Sequence, residues 1–174
     1  MSTYCAQIAL SLAPGQIHEI NLAAEEFVSR AAALLKRGFL ITVDYGALRD
    51  ELLTEPNRFA GTLRAFRRHQ FVDDPLANPG QQDLTTTVDW TGIEAAGARG
   101  GLEILRFERL DQFLLSEGLL DVLVNVSTEN RNAADIFNLN AGAREMISPD
   151  GLAASFQILV QRKLVDSPVV PTAA

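Results

Sequence analysis

The nine residues Gly38-Phe39-Leu40-Ile41-Thr42-Val43-Asp44-Tyr45-Gly46 give the clearest indication of the fold. Residues 39–43 are all apolar or β-branched, and the run ends at an acid, a phenol and a glycine. A short apolar run of this kind, preceded by a helical pattern, is typical of a strand buried on both faces of an α/β sheet. We therefore predict such a strand here, with Asp44 and Tyr45 at its carboxyl end, where open α/β sheets bind ligands.

The position of Asp44 at the end of this strand allows two interpretations. Its carboxylate can hydrogen-bond a substrate or cofactor, while Gly46 lets the chain turn away at once. Tyr45 would then be a wall of the site or a hydrogen-bond donor. Alternatively, Asp44 only accepts N–H groups of the backbone in a surface turn. The sequence leaves both interpretations open.

Helices and further strands are predicted on both sides of this strand. Asn21 is a suitable cap for a helix over residues 22–36, and Thr87 or Asp89 for a helix whose inner face carries Trp90. Strands are expected at residues 102–110 and 156–165, with helices over residues 119–126 and 132–146 between them. A sheet this small would leave the strand at residues 39–43 beside an unpaired edge.

The bulk composition restricts the class of protein. Hydrophobic residues make up 47% of the 174 residues and the formal net charge is −7, which predicts a folded domain with no nucleic-acid partner. Cys5 is the only cysteine, and His18 and His69 lack companions at metal-ligand spacing, so neither a disulfide nor a metal site is expected. No apolar run approaches about 18 residues and no secretion signal is evident, which predicts a cytoplasmic protein without membrane insertion.

The regular pattern breaks down between about residues 47 and 86. This stretch contains three prolines and mixed charges, and its length is unusual for a connection in a compact domain. We predict a long insertion here, with a short helix over residues 62–69. Arg64 and His69 can bind a carboxylate of a partner, and His69 can accept a proton near neutral pH. Alternatively, Arg64 and His69 only hold this long loop against the rest of the domain.

An ordered series of motifs in the chain resembles a known family. The motifs are Asp44-Tyr-Gly46, Gly61-Thr-Leu-Arg-Ala-Phe-Arg-Arg-His69, Asp74-Pro-Leu76, Pro79-Gly80, Asp83-Leu-Thr85 and Val88-Asp-Trp90, followed by Asp111-Gln-Phe-Leu-Leu115 and a closing segment from Ser148 to Leu159. This succession resembles the carboxyl-terminal half of the MidA-type S-adenosylmethionine-dependent methyltransferases. That family includes a mitochondrial complex I assembly factor that methylates an arginine on a partner subunit.

The resemblance implies a partial Rossmann-like α/β fold of the class I methyltransferase type, a doubly wound sheet. Residues 39–43 would form its fifth strand, residues 102–110 its sixth and residues 156–164 the antiparallel seventh. Residues 1–166 would form the carboxyl-terminal half of a methyltransferase domain, and residues 167–174 a disordered tail.

The resemblance also implies a site and a cofactor. S-adenosylmethionine is the family's methyl donor, but the motifs that bind it lie in the family's first half, so no cofactor-binding residue is expected in this chain. Asp44 and Tyr45 are the candidate catalytic residues. Arg64, His69, Asp83 and Thr85 are the candidate substrate-binding residues, with a protein as the expected substrate.

Two functions from different classes follow. The first is the substrate-side half of a methyltransferase, most specifically one for protein arginine, inactive without its cofactor half. The alternative is a non-enzymatic partner-binding or assembly module that retains the family's interaction surface. Association of identical chains through the exposed sheet edge is expected in either case. A doubly wound oxidoreductase is disfavoured, because no dinucleotide-binding fingerprint is found.

Overall fold

The computed structural model describes Cys5, Ile8, residues 10–128 and residues 132–164, so the predicted tail at residues 167–174 lies outside it. Its α-helices are α1 (Leu22–Leu34), α2 (Arg49–Thr54), α3 (Trp90–Arg99), α4 (Leu110–Ser116), α5 (Leu119–Thr128) and α6 (Ala133–Ile147). Short 3-10 helices span Pro56–Arg58 and Leu152–Ser155. The strands are β1 (Gly38–Asp44), β2 (Gly46–Ala47), β3 (Arg64–Arg67), β4 (Gln70–Val72), β5 (Asp83–Thr85), β6 (Val88–Asp89), β7 (Glu103–Arg109) and β8 (Gln157–Lys163).

The central sheet has the strand order β1-β8-β7. The last strand, β8, lies in the middle and is antiparallel to both neighbours, with Gln157 opposite Asp44 and Lys163 opposite Gly38. The strands predicted at residues 39–43, 102–110 and 156–165 are therefore present, and the last is antiparallel as expected. The overall class is mixed α/β.

One face of this sheet packs against helices α1 and α3 and forms the core. The buried side chains there include Val28 of α1, Trp90 and Ile93 of α3, and Leu159 of β8. Phe107 of β7 packs against them, and its ring lies 5.6 Å from that of Trp90. Burial of these side chains supplies the main stabilising term of this part of the fold. The prediction that Trp90 belongs to the core is confirmed.

The prediction that β1 is buried on both faces is wrong for this structure. Phe39, Ile41 and Val43, which share one face of the strand, have exposed fractions of 61%, 58% and 43%. Helices α1 and α3 cover only the opposite face, which carries Leu40. The outer edge of β1 also pairs with no strand among the described residues. The expected unpaired edge is therefore present, beside an exposed apolar row.

Both predicted helix caps on this side of the sheet are found. The side chain of Asn21 accepts a hydrogen bond from the N–H of Ala24 at 3.0 Å. The side chain of Asp89 accepts one from the N–H of Gly92 at 3.2 Å, which decides between Thr87 and Asp89 as the cap of α3. These bonds satisfy N–H groups that the first turn of a helix leaves unpaired.

The segment at residues 47–86 carries its own small antiparallel sheet, in the order β4-β3-β5. The predicted helix over residues 62–69 is wrong, because this stretch forms β3 and the turn to β4. Arg68 and His69 adopt φ values of +52° and +63°, which the two-residue turn of a hairpin requires at both positions. Neither residue is the glycine or asparagine that normally marks such a turn in a sequence.

The middle of β8 contains a fully buried amide. Neither polar atom of the Gln161 side chain has a hydrogen-bond partner among the described residues. The side chain packs against Gly97 of α3, where an added Cβ atom would lie 2.1 Å from Nε2 of Gln161. Gly97 therefore allows α3 to approach the sheet closely. Within the described residues, no helix has the length and apolar character needed to cross a membrane.

Candidate functional site

The carboxyl end of β1 is fixed by hydrogen bonds to neighbouring elements. Oδ1 of Asp44 accepts a bond from the N–H of Tyr45 at 2.8 Å. The next N–H, that of Gly46, donates to Oε1 of Gln157 at 2.9 Å, and Nε1 of Trp90 donates to the same oxygen at 3.3 Å. Any side chain at Gly46 would collide with the indole, because an added Cβ atom would lie 2.3 Å from its nitrogen. The chain therefore leaves the sheet at one defined point.

The phenol ring of Tyr45 lies between two other side chains. Its ring meets that of Phe156 edge to face, with 5.8 Å between the ring centres. The guanidinium carbon of Arg64 lies 5.5 Å from the centre of the Tyr45 ring, within the range of a cation–π contact. Arg64 comes from β3, and β5 places Thr85 directly opposite it. The small sheet thus brings its side chains to the end of β1.

Two adjoining cavities open at this place. The first, of about 350 Å³, is lined by Tyr45, Arg64, Phe66, Thr85, Ser155 and Phe156. The second, of about 460 Å³, shares Tyr45, Arg64 and Ser155 with the first and adds the polar side chains Asn57, Arg58, Thr62 and Thr87. We call the second cavity the arginine cleft. Its described lining residues include two arginines and no acidic side chain.

One wall of the arginine cleft is held from behind by Glu19. Its carboxylate accepts hydrogen bonds from the N–H of Thr62 at 2.9 Å, the hydroxyl of Thr62 at 3.0 Å and the N–H of Leu63 at 3.2 Å. The Thr62 hydroxyl also accepts a bond from the N–H of Thr87 at 3.1 Å and lies 2.7 Å from that of Thr86. Charge-assisted bonds of this kind are stronger than neutral ones, so they fix the wall in one conformation.

Helices α2 and α3 are joined by a largely buried ion pair. Arg49 of α2 contacts Oδ2 of Asp89 at 2.7 Å, while Oδ1 of the same carboxylate caps α3. The N–H of Arg49 donates to the hydroxyl of Thr91 at 3.0 Å. The pair therefore ties α2, which follows the end of β1, to the helix that carries Trp90.

The clear pKa shifts belong to groups outside both cavity linings. Burial lowers the pKa of His18, although the carboxylates of Asp89 and Glu19 act in the opposite direction. The hydrogen bond from Arg109 lowers the pKa of Asp111, a buried carboxylate at the start of α4. Burial therefore favours the neutral form of His18, and Asp111 belongs to a structural ion pair.

The structure brings together some of the candidate residues predicted from the sequence. Tyr45, Arg64 and Thr85 line one cavity, and Asp44 directly precedes Tyr45. Asp83 lies in β5 opposite Phe66, and His69 lies in the exposed turn between β3 and β4. Asp44, Asp83 and His69 are all absent from the lining of the two cavities.

Several lining residues were not predicted from the sequence. Ser155 and Phe156 fall within the motif from Ser148 to Leu159, and Thr87 was considered as a helix cap, but none of the three was predicted to line a site. Arg58 belongs to no motif, and Glu19 lies far from the cleft in sequence. Strand pairing was the signal that could have placed Ser155 and Phe156 at the site. Because β8 is antiparallel to β1 and places Gln157 opposite Asp44, the residues just before Gln157 necessarily lie beside Tyr45.

A comparison with protein-family models identifies the family of this chain. The model described as a putative S-adenosyl-L-methionine-dependent methyltransferase matches residues 1–108, more than half of the chain. No curated protein matches.

Two crystal structures from Burkholderia thailandensis are similar to this chain. One, of an uncharacterized protein, has 28% sequence identity and a TM-score of 0.81, over 95% of this chain and 44% of that one. The other, described as a likely methyl transferase bound to S-adenosyl-homocysteine, has 27% identity and a TM-score of 0.80, over 96% of this chain and 43% of that one. The chain therefore spans less than half the length of either structure.

Proposed function

Because this chain belongs to the family described as putative S-adenosyl-L-methionine-dependent methyltransferases, we propose that it supplies the acceptor side of such an enzyme. The observation that carries the proposal is the cavity at the carboxyl end of β1, where Tyr45, Arg64 and Thr85 meet beside Asp44. Ligands bind at this end of the strands in open α/β sheets. The methyl acceptor in this proposal is an arginine of a partner protein, as in the MidA type, and the location is cytoplasmic.

The strand order supports a place for this chain within a larger sheet. In the proposed class I methyltransferase fold, β1, β7 and β8 are the fifth, sixth and seventh strands. The antiparallel β8 between two mutually parallel strands fits that order. The unpaired outer edge of β1 and its exposed apolar row fit a further strand and a covering helix on that side.

The glycine cluster at the end of α3 does not have the geometry of a cradle for the methyl donor. Gly97, Gly100 and Gly101 lie at the carboxyl end of α3, whereas a nucleotide cradle opens a helix at its amino end. Added Cβ atoms at Gly97 and Gly100 would meet Gln161 and Ala32, so both glycines serve helix packing. These residues do not fit the donor. In this proposal S-adenosylmethionine is bound outside the residues described above.

The role proposed for Asp44 follows from the chemistry of the acceptor. A carboxylate binds a guanidinium through charge-assisted hydrogen bonds and directs which nitrogen lies in line for transfer. Oδ1 of Asp44 accepts the hydrogen bond from the Tyr45 N–H. Oδ2 would then accept a hydrogen bond from the guanidinium group of the substrate. Tyr45 forms the wall, and Arg64 and Thr85 bind the surrounding substrate. Asp83 and His69 lie outside both cavity linings and would contact only outlying parts of the substrate.

Calorimetry with S-adenosylmethionine tests where the donor binds. We expect no micromolar binding to this chain, because its glycine cluster does not fit the donor. Clear micromolar binding would show that the donor site lies within the chain and would contradict this part of the proposal.

The genomic reading frame before Met1 is a second test: a glycine-rich loop and an Asn-Glu motif there favour the enzyme, and their absence favours the alternative below.

The alternative function is a non-enzymatic partner-binding or assembly module. The observation that favours it is the row of Phe39, Ile41 and Val43 beside an edge with no described strand partner. Such an edge binds another strand through its free N–H and C=O groups, including that of a second copy of the chain. We expect the purified chain to self-associate through this edge.

The substitution Ile41→Lys tests this association. A lysine at an exposed edge position hinders strand addition, because its charge would have to be buried in the new interface. Light scattering after size exclusion should show a concentration-dependent dimer or larger species for the wild-type chain and a shift to monomer for Ile41→Lys. Phe137→Lys, at an exposed apolar position of α6 away from the edge, is the matched control and should associate like the wild type. A wild-type chain that stays monomeric rejects the edge as an interface.

A further inference from the structure

We propose that the arginine cleft binds a carboxylate side chain that lies near the methylated arginine in the substrate protein. The substrate segment is therefore an acidic peptide. The identification of the bound peptide as the methyltransferase substrate rests on the proposed function. The binding of a carboxylate in the cleft does not depend on that function. This proposal adds a substrate class that the family match does not supply. It also gives separate tasks to Asp44, which faces the methylated side chain, and to the cleft beside it.

The charge of the cleft lining is opposite to that of the whole chain. The protein has 22 acidic and 15 basic residues, yet the described lining contains Arg58 and Arg64 and no acid. Two guanidinium groups in one concave site attract anions and repel a third guanidinium. The cleft is therefore unsuited to the arginine acceptor itself and suited to a carboxylate near it.

The two arginines have hydrogen-bonding capacity to spare. Nη1 of Arg58 is buried and has no partner among the described residues, and the contact of Nη2 with Glu51 is long, at 3.3 Å. A buried donor without a partner costs free energy, so a small movement of the Arg58 side chain toward an acceptor atom in the cleft would remove that cost. Arg64 forms no ion pair with any described residue. Its guanidinium is oriented by the Tyr45 ring, which leaves its edge available for a bidentate bond.

The remaining lining favours a peptide side chain over a small free anion. Leu63 and Phe71 add apolar surface that can cover the methylene groups of a glutamate. The hydroxyl groups of Thr87 and Ser155 supply donors for a carboxylate or a peptide carbonyl. Because Glu19 holds Thr62 and Leu63 by hydrogen bonds, this wall is formed before any ligand arrives. Such preorganisation reduces the entropy lost on binding.

Peptide binding to the purified chain tests the inference without any methyl donor. The probe is a short blocked peptide with one glutamate two residues before an arginine, compared with the same peptide carrying glutamine. Calorimetry at low salt should give a Kd at least about tenfold lower for the glutamate peptide, the effect of about one charge-assisted bond. The variants Arg64→Gln and Arg58→Gln should each abolish most of that preference, while Arg64→Lys retains part of it.

Arg67→Gln is the matched control, because Arg67 lies on the same strand as Arg64 but outside the cleft, bonded to Gln81. It should preserve the tenfold preference for the glutamate peptide. Circular dichroism spectra of all variants should match that of the wild type. Equal affinity for both peptides overturns the inference, as does displacement by inorganic phosphate at lower concentration than the glutamate peptide. A glutamate preference without methylation of the peptide in the complete enzyme would leave the site in place and contradict only the proposed function.

Discussion

The substitution Asp44→Asn is expected to lower kcat of the complete methyltransferase about a hundredfold, which is the usual scale for removing one group that stabilises a transition state. Asparagine keeps an oxygen that can accept the hydrogen bond from the N–H of Tyr45, so the turn after β1 should persist. What it removes is the negative charge that orients a guanidinium acceptor. The measurement is single-turnover methyl transfer to the protein substrate, together with the thermal unfolding of both proteins.

The comparison of Asp44→Asn with Asp44→Ala separates catalysis from turn capping. If Asp44 only caps the turn, the asparagine variant should turn over like the wild type and the alanine variant should lose stability. If Asp44 acts on the acceptor, both variants lose rate, and Asp44→Asn does so without losing stability. Asp83→Asn is the matched control, because Asp83 lies in β5 opposite Phe66 and not at the end of β1 beside Tyr45, and its rate should stay near that of the wild type.

Features that depend on local chemistry were predictable from the sequence. The run at residues 39–43 is a strand because β-branched and apolar side chains favour a pleated surface, and it ends where Asp44 and Gly46 permit a turn. Asn21 and Asp89 cap their helices because short polar side chains reach the N–H groups of the first turn. The core position of Trp90 follows from its size and apolar surface.

Features that depend on contacts between distant residues were not predictable. The turn at Arg68 and His69 lacks the usual turn residues, so tertiary context imposes its positive φ values and overrides the helical reading of residues 62–69. Pairing with β8 places Ser155 and Phe156 beside Tyr45, more than a hundred residues away in sequence. The apolar composition of β1 indicated burial on both faces, but composition does not say whether a second layer covers Phe39 and Ile41.

The second large expected effect concerns the core beneath the site. Trp90→Ala should lower the free energy of unfolding by about 3–5 kcal/mol, because it removes a fully buried indole and leaves a cavity against Phe107 and Leu159. Trp90→Phe should cost less, since it keeps most of the apolar volume and loses only the hydrogen bond to Gln157. Urea denaturation measured for all variants under one set of conditions gives the comparison.

The position of Trp90 links this loss of stability to the geometry of the site. Oε1 of Gln157 accepts hydrogen bonds from Nε1 of Trp90 and from the N–H of Gly46, so the indole helps to hold the oxygen that fixes the end of β1. Trp90→Phe should therefore weaken carboxylate binding or turnover more than its small stability loss explains. Phe27→Ala, at an exposed aromatic position of α1, is the control and should change the free energy of unfolding by less than about 0.5 kcal/mol. Equal losses for Trp90→Ala and Phe27→Ala would contradict the placement of Trp90 at the centre of the core.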